Sequence, residues 1–140
     1  MKSAVIINKI KNYCLQRDDI TMAFLIGSLA RETMREESDI DIAVYFSADR
    51  IEMEDTDNLH EEQEDEVHAD LTRLLKQEID LIILNRAPAY ICDEAIRKGV
   101  PIIIKNQGIY IDYLLRVTDE AEFYRNNLED IYEMKYGYRL

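Results

Sequence analysis

Three carboxylates and a Gly-Ser pair occupy positions from which they could handle a phosphate and its metal. Gly27 and Ser28 end one apolar run, and Asp39 and Asp41 open the next, in the pattern G-S-x10-D-x-D. Because side chains alternate along a strand, Asp39 and Asp41 leave the same face. Two neighbouring carboxylates repel each other unless a cation lies between them, and their hard oxygen atoms favour magnesium. The spacing therefore predicts a magnesium site on the second run.

The Gly-Ser pair predicts an anion site beside the metal. Glycine suits a tight turn from a strand into a helix, and serine suits the N-cap position that follows. Free N–H groups at a helix N-terminus bind anions readily. A phosphate held at Gly27 and Ser28 would therefore lie next to the metal that accompanies it.

A third carboxylate, Asp80, interrupts the apolar run over residues 78–85. A buried lone carboxylate is costly unless it is paired or binds a metal. An aspartate at the start of a strand that still reaches water has no such cost. The residues alone leave both interpretations open.

Apolar periodicity predicts the elements that position these groups. Helices are expected over residues 3–16, 29–35, 58–77, 88–98 and 109–135, and strands over residues 20–26, 40–46, 78–85 and 100–105. Pro101 favours an edge strand, since proline cannot donate to a ladder. The last helix carries an apolar seam that could cross its own domain or dock a partner helix, and a break at Thr118-Asp119 is one alternative. The seam comprises Leu114, Val117, Ala121, Tyr124, Leu128, Ile131 and Lys135.

Composition narrows the class of protein. The length of 140 residues predicts one domain, residues 1–140, with 47% hydrophobic and 33% charged residues. The net charge of −12 argues against direct nucleic-acid binding, which needs clustered Lys and Arg. No apolar run reaches the ~20 residues of a membrane span. Cys14 and Cys92 are expected as reduced core residues of a cytoplasmic protein, and His60 and His68 as structural or surface residues.

The combination G-S-x10-D-x-D followed by Asp80 resembles the polymerase-beta-like nucleotidyltransferase superfamily. The size of the chain makes it most similar to the minimal nucleotidyltransferase (MNT) antitoxins of HEPN–MNT toxin–antitoxin pairs, and the resemblance covers nearly all of the sequence. It implies an α+β (α/β) fold, with a mixed, mostly four-stranded sheet flanked by helices and a long C-terminal helix. It also implies a magnesium-dependent protein adenylyltransferase that moves AMP from ATP to a tyrosine of a cognate HEPN ribonuclease toxin.

The resemblance assigns roles residue by residue. Gly27 and Ser28 would bind the triphosphate, with Arg31 and Ser38 as further nucleotide-binding residues. The carboxylates Asp39, Asp41 and Asp80 would be catalytic and would bind two Mg²⁺ ions, with Asp80 helping a hydroxyl nucleophile lose its proton. Glu32 stands where many relatives have glycine, which leaves the turn after Arg31 undefined. A surface ion pair with Glu32 or Glu36 is the alternative role for Arg31.

Two other functions remain open at this point. A small molecule such as an aminoglycoside could be the acceptor of the nucleotide. Alternatively, the chain could be an antitoxin that acts by binding and occlusion alone, for which the tyrosine-rich C-terminal segment offers a surface.

Overall fold

The computed structural model describes residues 3–27, 40–57, 59–127, 133–134 and 137. These residues form four helices and one four-stranded sheet. In chain order the elements are α1 (Ser3–Gln16), β1 (Ile20–Ile26), β2 (Ile40–Phe46), α2 (Glu61–Leu75), β3 (Ile79–Ile83), α3 (Ala89–Lys98), β4 (Val100–Ile104) and α4 (Gln107–Asn126). No helix among the described residues has the length and apolar character needed to cross a membrane.

The sheet is mixed, in the order β3-β2-β1-β4. β1 pairs antiparallel with β2 and with β4, whereas β2 and β3 are parallel. β1 and β2 are central and buried almost throughout, as continuous apolar runs predict. β4 is an edge strand and accommodates Pro101, which confirms the expectation for that residue.

Helices cover both faces of the sheet. On one face α1 and α2 pack on alternate residues of β2, namely Ile40, Ile42, Val44 and Phe46. On the other face α3 and α4 pack on the intervening residues Ala43 and Tyr45. Asp41 belongs to this second face by the same alternation. The α+β fold with a mixed sheet flanked by helices is therefore confirmed.

Element boundaries differ from the predicted ones mostly by a few residues at the ends. The predicted helix over residues 29–35 lies outside the described residues. α4 continues through Thr118 without a break, and the Thr118 hydroxyl is satisfied inside the helix, where it donates to the Leu114 carbonyl at 2.7 Å. The described part of the α4 seam packs on the sheet and is centred on Tyr113, Val117 and Ala121, whereas Tyr124 is partly exposed. The remaining predicted seam residues, Leu128, Ile131 and Lys135, lie outside the described residues.

α3 and α4 are joined by a buried carboxylate. The Asp93 side chain is 1% exposed, and it accepts hydrogen bonds from Arg97 within α3 and from Arg125 Nη1 of α4 at 3.2 Å. Pairing with two guanidinium groups compensates the burial of this charge. α3 is thus held over the sheet by α4 as well as by its own apolar contacts.

The two histidines have structural contacts. His60 Nε2 lies 2.7 Å from Glu52 Oε1 and its ring stacks on Phe46, while Asn85 Nδ2 donates to the same Glu52 oxygen. His68 Nε2 lies 2.9 Å from the Ile79 carbonyl at the start of β3. The expectation of structural roles for both histidines is therefore confirmed.

Candidate active site

Asp41 and Asp80 lie side by side at one end of the sheet. They are register partners in the parallel ladder of β2 and β3, so their side chains leave the same face. Adjacent strands lie about 4.8 Å apart, which brings the two carboxylates within reach of a shared cation. On the other side Asp41 is the register partner of Ile26, the last residue of β1. The sheet thus brings two carboxylates together at the end of β1, where Gly27 begins the next segment.

Gly27 is shaped to fit against the Asp41 carboxylate. Its φ of +75° is a conformation that residues with a side chain rarely adopt. A Cβ atom at this position would overlap Asp41 Oδ2 and would lie 3.1 Å from Asp41 Cγ. Both the backbone angle and the close approach of the carboxylate therefore require glycine.

A cavity of about 220 Å³ opens on the same face of the sheet, beneath the C-terminal half of α3. Its lining is largely apolar, with an ion pair between Glu94 Oε1 and Lys98 Nζ at 3.3 Å on exposed side chains. The residues around it are Ile26, Gly27, Ile82, Ile91, Glu94, Ala95, Lys98 and Gly99. The cavity and the two carboxylates therefore share Gly27 as a common boundary.

Gly99 fixes how closely α3 approaches this end of the sheet. A Cβ atom there would lie 2.8 Å from Ile26 Cγ2 and 3.0 Å from the Leu25 carbonyl oxygen. The site residues predicted from the sequence did not include Ile91, Glu94, Lys98 or Gly99. A helix that crosses from one sheet edge to the other brings these residues to the site, and no local sequence pattern carries that information.

The predicted site residues are only partly described. Gly27, Asp41 and Asp80 come together as set out above. Ser28, Arg31, Ser38 and Asp39 lie outside the described residues.

The donor chemistry at the sheet end fits magnesium. Asp41 and Asp80 present carboxylate oxygen atoms side by side, and the exposed Glu78, two residues before Asp80, adds negative charge. Within the described part of the chain, no three His, Cys, Asp or Glu residues form a group that could hold a metal. A complete ligand set drawn from the predicted residues therefore requires Asp39.

Asp80 is exposed, which rules out the interpretation of a buried lone carboxylate. The argument that a buried carboxylate needs a partner does not apply to this residue, because its side chain reaches water. Exposure at the end of the sheet leaves the carboxylate open to an incoming substrate. The role of Asp80 stays a prediction that depends on its position beside Asp41.

The cysteines are not candidates for the chemistry. Both thiols are free and buried. Burial raises the pKa of the Cys14 and Cys92 thiols to about 11, so both stay protonated near neutral pH. Their predicted place in the core is confirmed.

Comparison with known proteins gives a family and a set of similar structures. Residues 8–108 match the family model described as polymerase beta nucleotidyltransferase. No curated protein matched the sequence.

Several solved structures share the fold at low sequence identity. A chain of a crystal structure of a toxin–antitoxin with AMP-PNP is 22% identical with a TM-score of 0.66, covering 91% of this chain and 98% of that one. A chain from the complex of tri-AMPylated Shewanella oneidensis HEPN toxin with MNT antitoxin is 18% identical with a TM-score of 0.65, covering 95% and 98%. A chain of an MntA–HepT toxin–antitoxin structure is 19% identical with a TM-score of 0.64, covering 94% and 98%.

Proposed function

The chain belongs to the polymerase beta nucleotidyltransferase family, and we propose that it is an antitoxin that transfers AMP from ATP to a tyrosine hydroxyl of a cognate HEPN toxin. The observation that carries the proposal is the register pairing of Asp41 with Asp80 beside Gly27. The similar structures support the choice of acceptor, because one of them holds a tri-AMPylated HEPN toxin with an MNT antitoxin and another holds AMP-PNP.

In the proposed reaction, a tyrosine oxygen of the toxin attacks the α-phosphorus of ATP. A new phosphorus–oxygen bond forms, the bond to the bridging oxygen breaks, and pyrophosphate leaves. Asp80, exposed beside Asp41, accepts the proton of the hydroxyl. Gly27 keeps the backbone clear of the Asp41 carboxylate, and Gly27 with Ser28 binds the departing phosphates.

Asp39, Asp41 and Asp80 are the residues that would hold magnesium. When bound, the metal supplies charge stabilisation to the attacking and leaving oxygen atoms of an in-line displacement. The carboxylates would position the charge of the magnesium at the end of the sheet where the phosphates would bind. Replacing either Asp39 or Asp41 should therefore abolish transfer while leaving the fold in place.

The cavity under α3 is the proposed position of the nucleoside. Its apolar walls from Ile82 and Ile91 offer contact to a flat base at the mouth of a cavity of about 220 Å³. A nucleoside in this cavity would direct its phosphates towards Gly27, which borders both.

Transfer of labelled AMP from ATP to the HEPN protein encoded beside this chain tests the proposal. Wild type should label the toxin in the presence of magnesium, and Asp39→Ala and Asp41→Ala should reduce labelling at least a hundredfold. Asp112→Ala is the matched control, since Asp112 is an exposed carboxylate on α4 that pairs with Arg116 away from the site. Normal transfer by both site variants would refute the metal assignment.

Neutralisation by occlusion alone is the second candidate. It is favoured by large apolar side chains exposed on α4, where Ile111, Leu115 and Phe123 are each more than half exposed. If the chain acts in this way, its Asp41→Asn variant should still bind and neutralise the toxin. Loss of neutralisation by that variant, with binding retained, would favour catalysis.

A further inference from the structure

The outer edge of β3 has open backbone groups one residue away from Asp80. We propose that this edge binds an extended, hydroxyl-bearing segment of the acceptor protein as an added strand and so presents the hydroxyl to Asp80. The inference rests on the proposed function, because it takes Asp80 as the group that receives the proton of the acceptor. It adds the surface by which the acceptor binds and the conformation that it adopts there.

The ladder between β2 and β3 determines which groups of β3 point outward. The Ile40 N–H donates to the Glu78 carbonyl at 3.1 Å, and the Leu84 N–H donates to the Val44 carbonyl at 2.8 Å. Because alternate residues of a strand turn their backbone groups to the same neighbour, even-numbered positions of β3 face β2. Ile79, Leu81 and Ile83 therefore direct their N–H and C=O groups away from the sheet.

Some of these outward groups already have partners. The Ile79 carbonyl lies 2.9 Å from His68 Nε2, and the Ile83 carbonyl accepts from the N–H groups of Arg86 and Ala87 in the following turn. Among the described residues, the N–H and C=O of Leu81 form no such bond. A residue that leaves both its donor and its acceptor open at a sheet edge is the pairing unit of strand addition.

An added strand at Leu81 would bring its own side chains to the site. The backbone of Asp80 and the backbone of its neighbour on an added strand would lie about 4.8 Å apart. Side chains at paired positions leave the same face, and for Asp80 this face also carries Asp41. A tyrosine or serine at the position paired with Asp80 would thus direct its hydroxyl towards the carboxylates.

The space beside the edge has room for an extended segment. An open groove of about 850 Å³ lies along the last turns of α2 and the start of β3. Its lining exposes the apolar parts of its side chains as well as their polar groups, and comprises His68, Ala69, Thr72, Arg73, Lys76, Gln77 and Glu78. Side chains of an added strand could lie in this groove while its backbone pairs with Leu81. The occupant is therefore an extended protein segment, because only an extended backbone can pair with both the N–H and the C=O of Leu81. ATP and the side of a helix cannot do so.

The test compares Leu81→Pro with Leu81→Ala in the full chain, using the HEPN protein encoded beside it as acceptor. Both substitutions remove the leucine side chain from the core, but only proline removes the outward N–H and blocks strand addition. Proline at an edge position is compatible with this sheet, as Pro101 on the opposite edge illustrates. We expect equal binding of an ATP analogue by both variants and transfer at least about tenfold slower for Leu81→Pro than for Leu81→Ala. Equal transfer by the two folded variants would overturn the inference.

Hydrogen exchange provides a measurement that does not depend on the proline variant folding. In wild type without ATP, the Leu81 amide should exchange more slowly once the HEPN protein is added. Unchanged exchange at Leu81 in the complex would overturn the inference. Absence of AMP transfer by wild type would instead refute the proposed function, while the exchange measurement would still report on binding at this edge.

Discussion

Replacing Gly27 by alanine tests the geometry at the centre of the site. Alanine at a φ of +75° costs about 1–2 kcal/mol in backbone strain. The new Cβ would also overlap Asp41 Oδ2 and lie 3.1 Å from Asp41 Cγ. Because the overlap with Oδ2 is closer than the contact with Cγ, the carboxylate must retreat by about 1 Å to restore an ordinary non-bonded contact.

The displacement of Asp41 should affect catalysis more than stability. A misplacement of about 1 Å in a reacting constellation can reduce a rate about a hundredfold. We therefore expect Gly27→Ala to lower the free energy of unfolding by about 1–2 kcal/mol and the rate of AMP transfer by about 10- to 100-fold. Urea unfolding and single-turnover transfer under saturating ATP measure the two effects separately.

Gly137→Ala is the matched control for strain without overlap. Gly137 has a φ of +80°, and a Cβ atom there meets nothing within 4 Å. This variant should transfer AMP at the wild-type rate. If Gly27→Ala also transferred within about threefold of wild type, the position of the Asp41 carboxylate would not matter for the reaction, and the reasoning would be refuted.

Three further substitutions test the cavity, the core and the electrostatics. Ile91→Trp fills the cavity under α3, so the KM for ATP should rise about tenfold in steady-state transfer assays while the melting temperature changes little. Tyr113→Phe removes a buried hydroxyl that donates to a backbone carbonyl at 2.6 Å, which should cost about 1–2 kcal/mol in urea unfolding. The hydrogen bonds from Arg17 lower the pKa of Asp19 in the folded state, so Asp19→Asn should lose about 0.5–1 kcal/mol of stability at pH 7.

Two substitutions at exposed positions and one pH profile serve as controls for these predictions. Ile111→Trp, on the exposed side of α4, should leave the KM for ATP unchanged. Tyr90→Phe, about half exposed, should leave stability unchanged. For Asp19 the wild-type advantage should persist above about pH 4, where the unfolded carboxyl is ionised, and disappear as the pH falls through the lower pKa of the folded state. An advantage that grew as the pH fell would contradict this assignment.

Local sequence patterns were sufficient for the strands that hold the carboxylates. Alternation over residues 40–46 predicted the bounds of β2 and the face that carries Asp41, whereas the burial of Ala43 and Tyr45 on that same face depends on α3 and α4, which cover it. Proline at position 101 correctly indicated an edge strand. The Gly-Ser and aspartate spacing selected Gly27 and Asp41 before the antiparallel pairing of β1 and β2 brought them together.

Patterns along the chain could not predict what depends on packing between distant elements. Asp80 is exposed on β3, an edge strand that begins at the site, and an apolar run does not reveal its place in a sheet. Lys98 and Ile91 reach the site only because α3 crosses from β3 to β4. Tyr113 is buried in the core, where its hydroxyl donates to the Leu84 carbonyl, whereas the predicted seam began at Leu114 and omitted Tyr113.

The intact mass of the HEPN protein after incubation with this chain, ATP and magnesium tests the central claim most directly. With wild type, the mass should increase by one or more AMP units located on tyrosine. With Asp41→Asn the mass should stay unchanged although the two proteins still form a complex. A HEPN protein that is neutralised by wild type without any increase in mass would contradict the account.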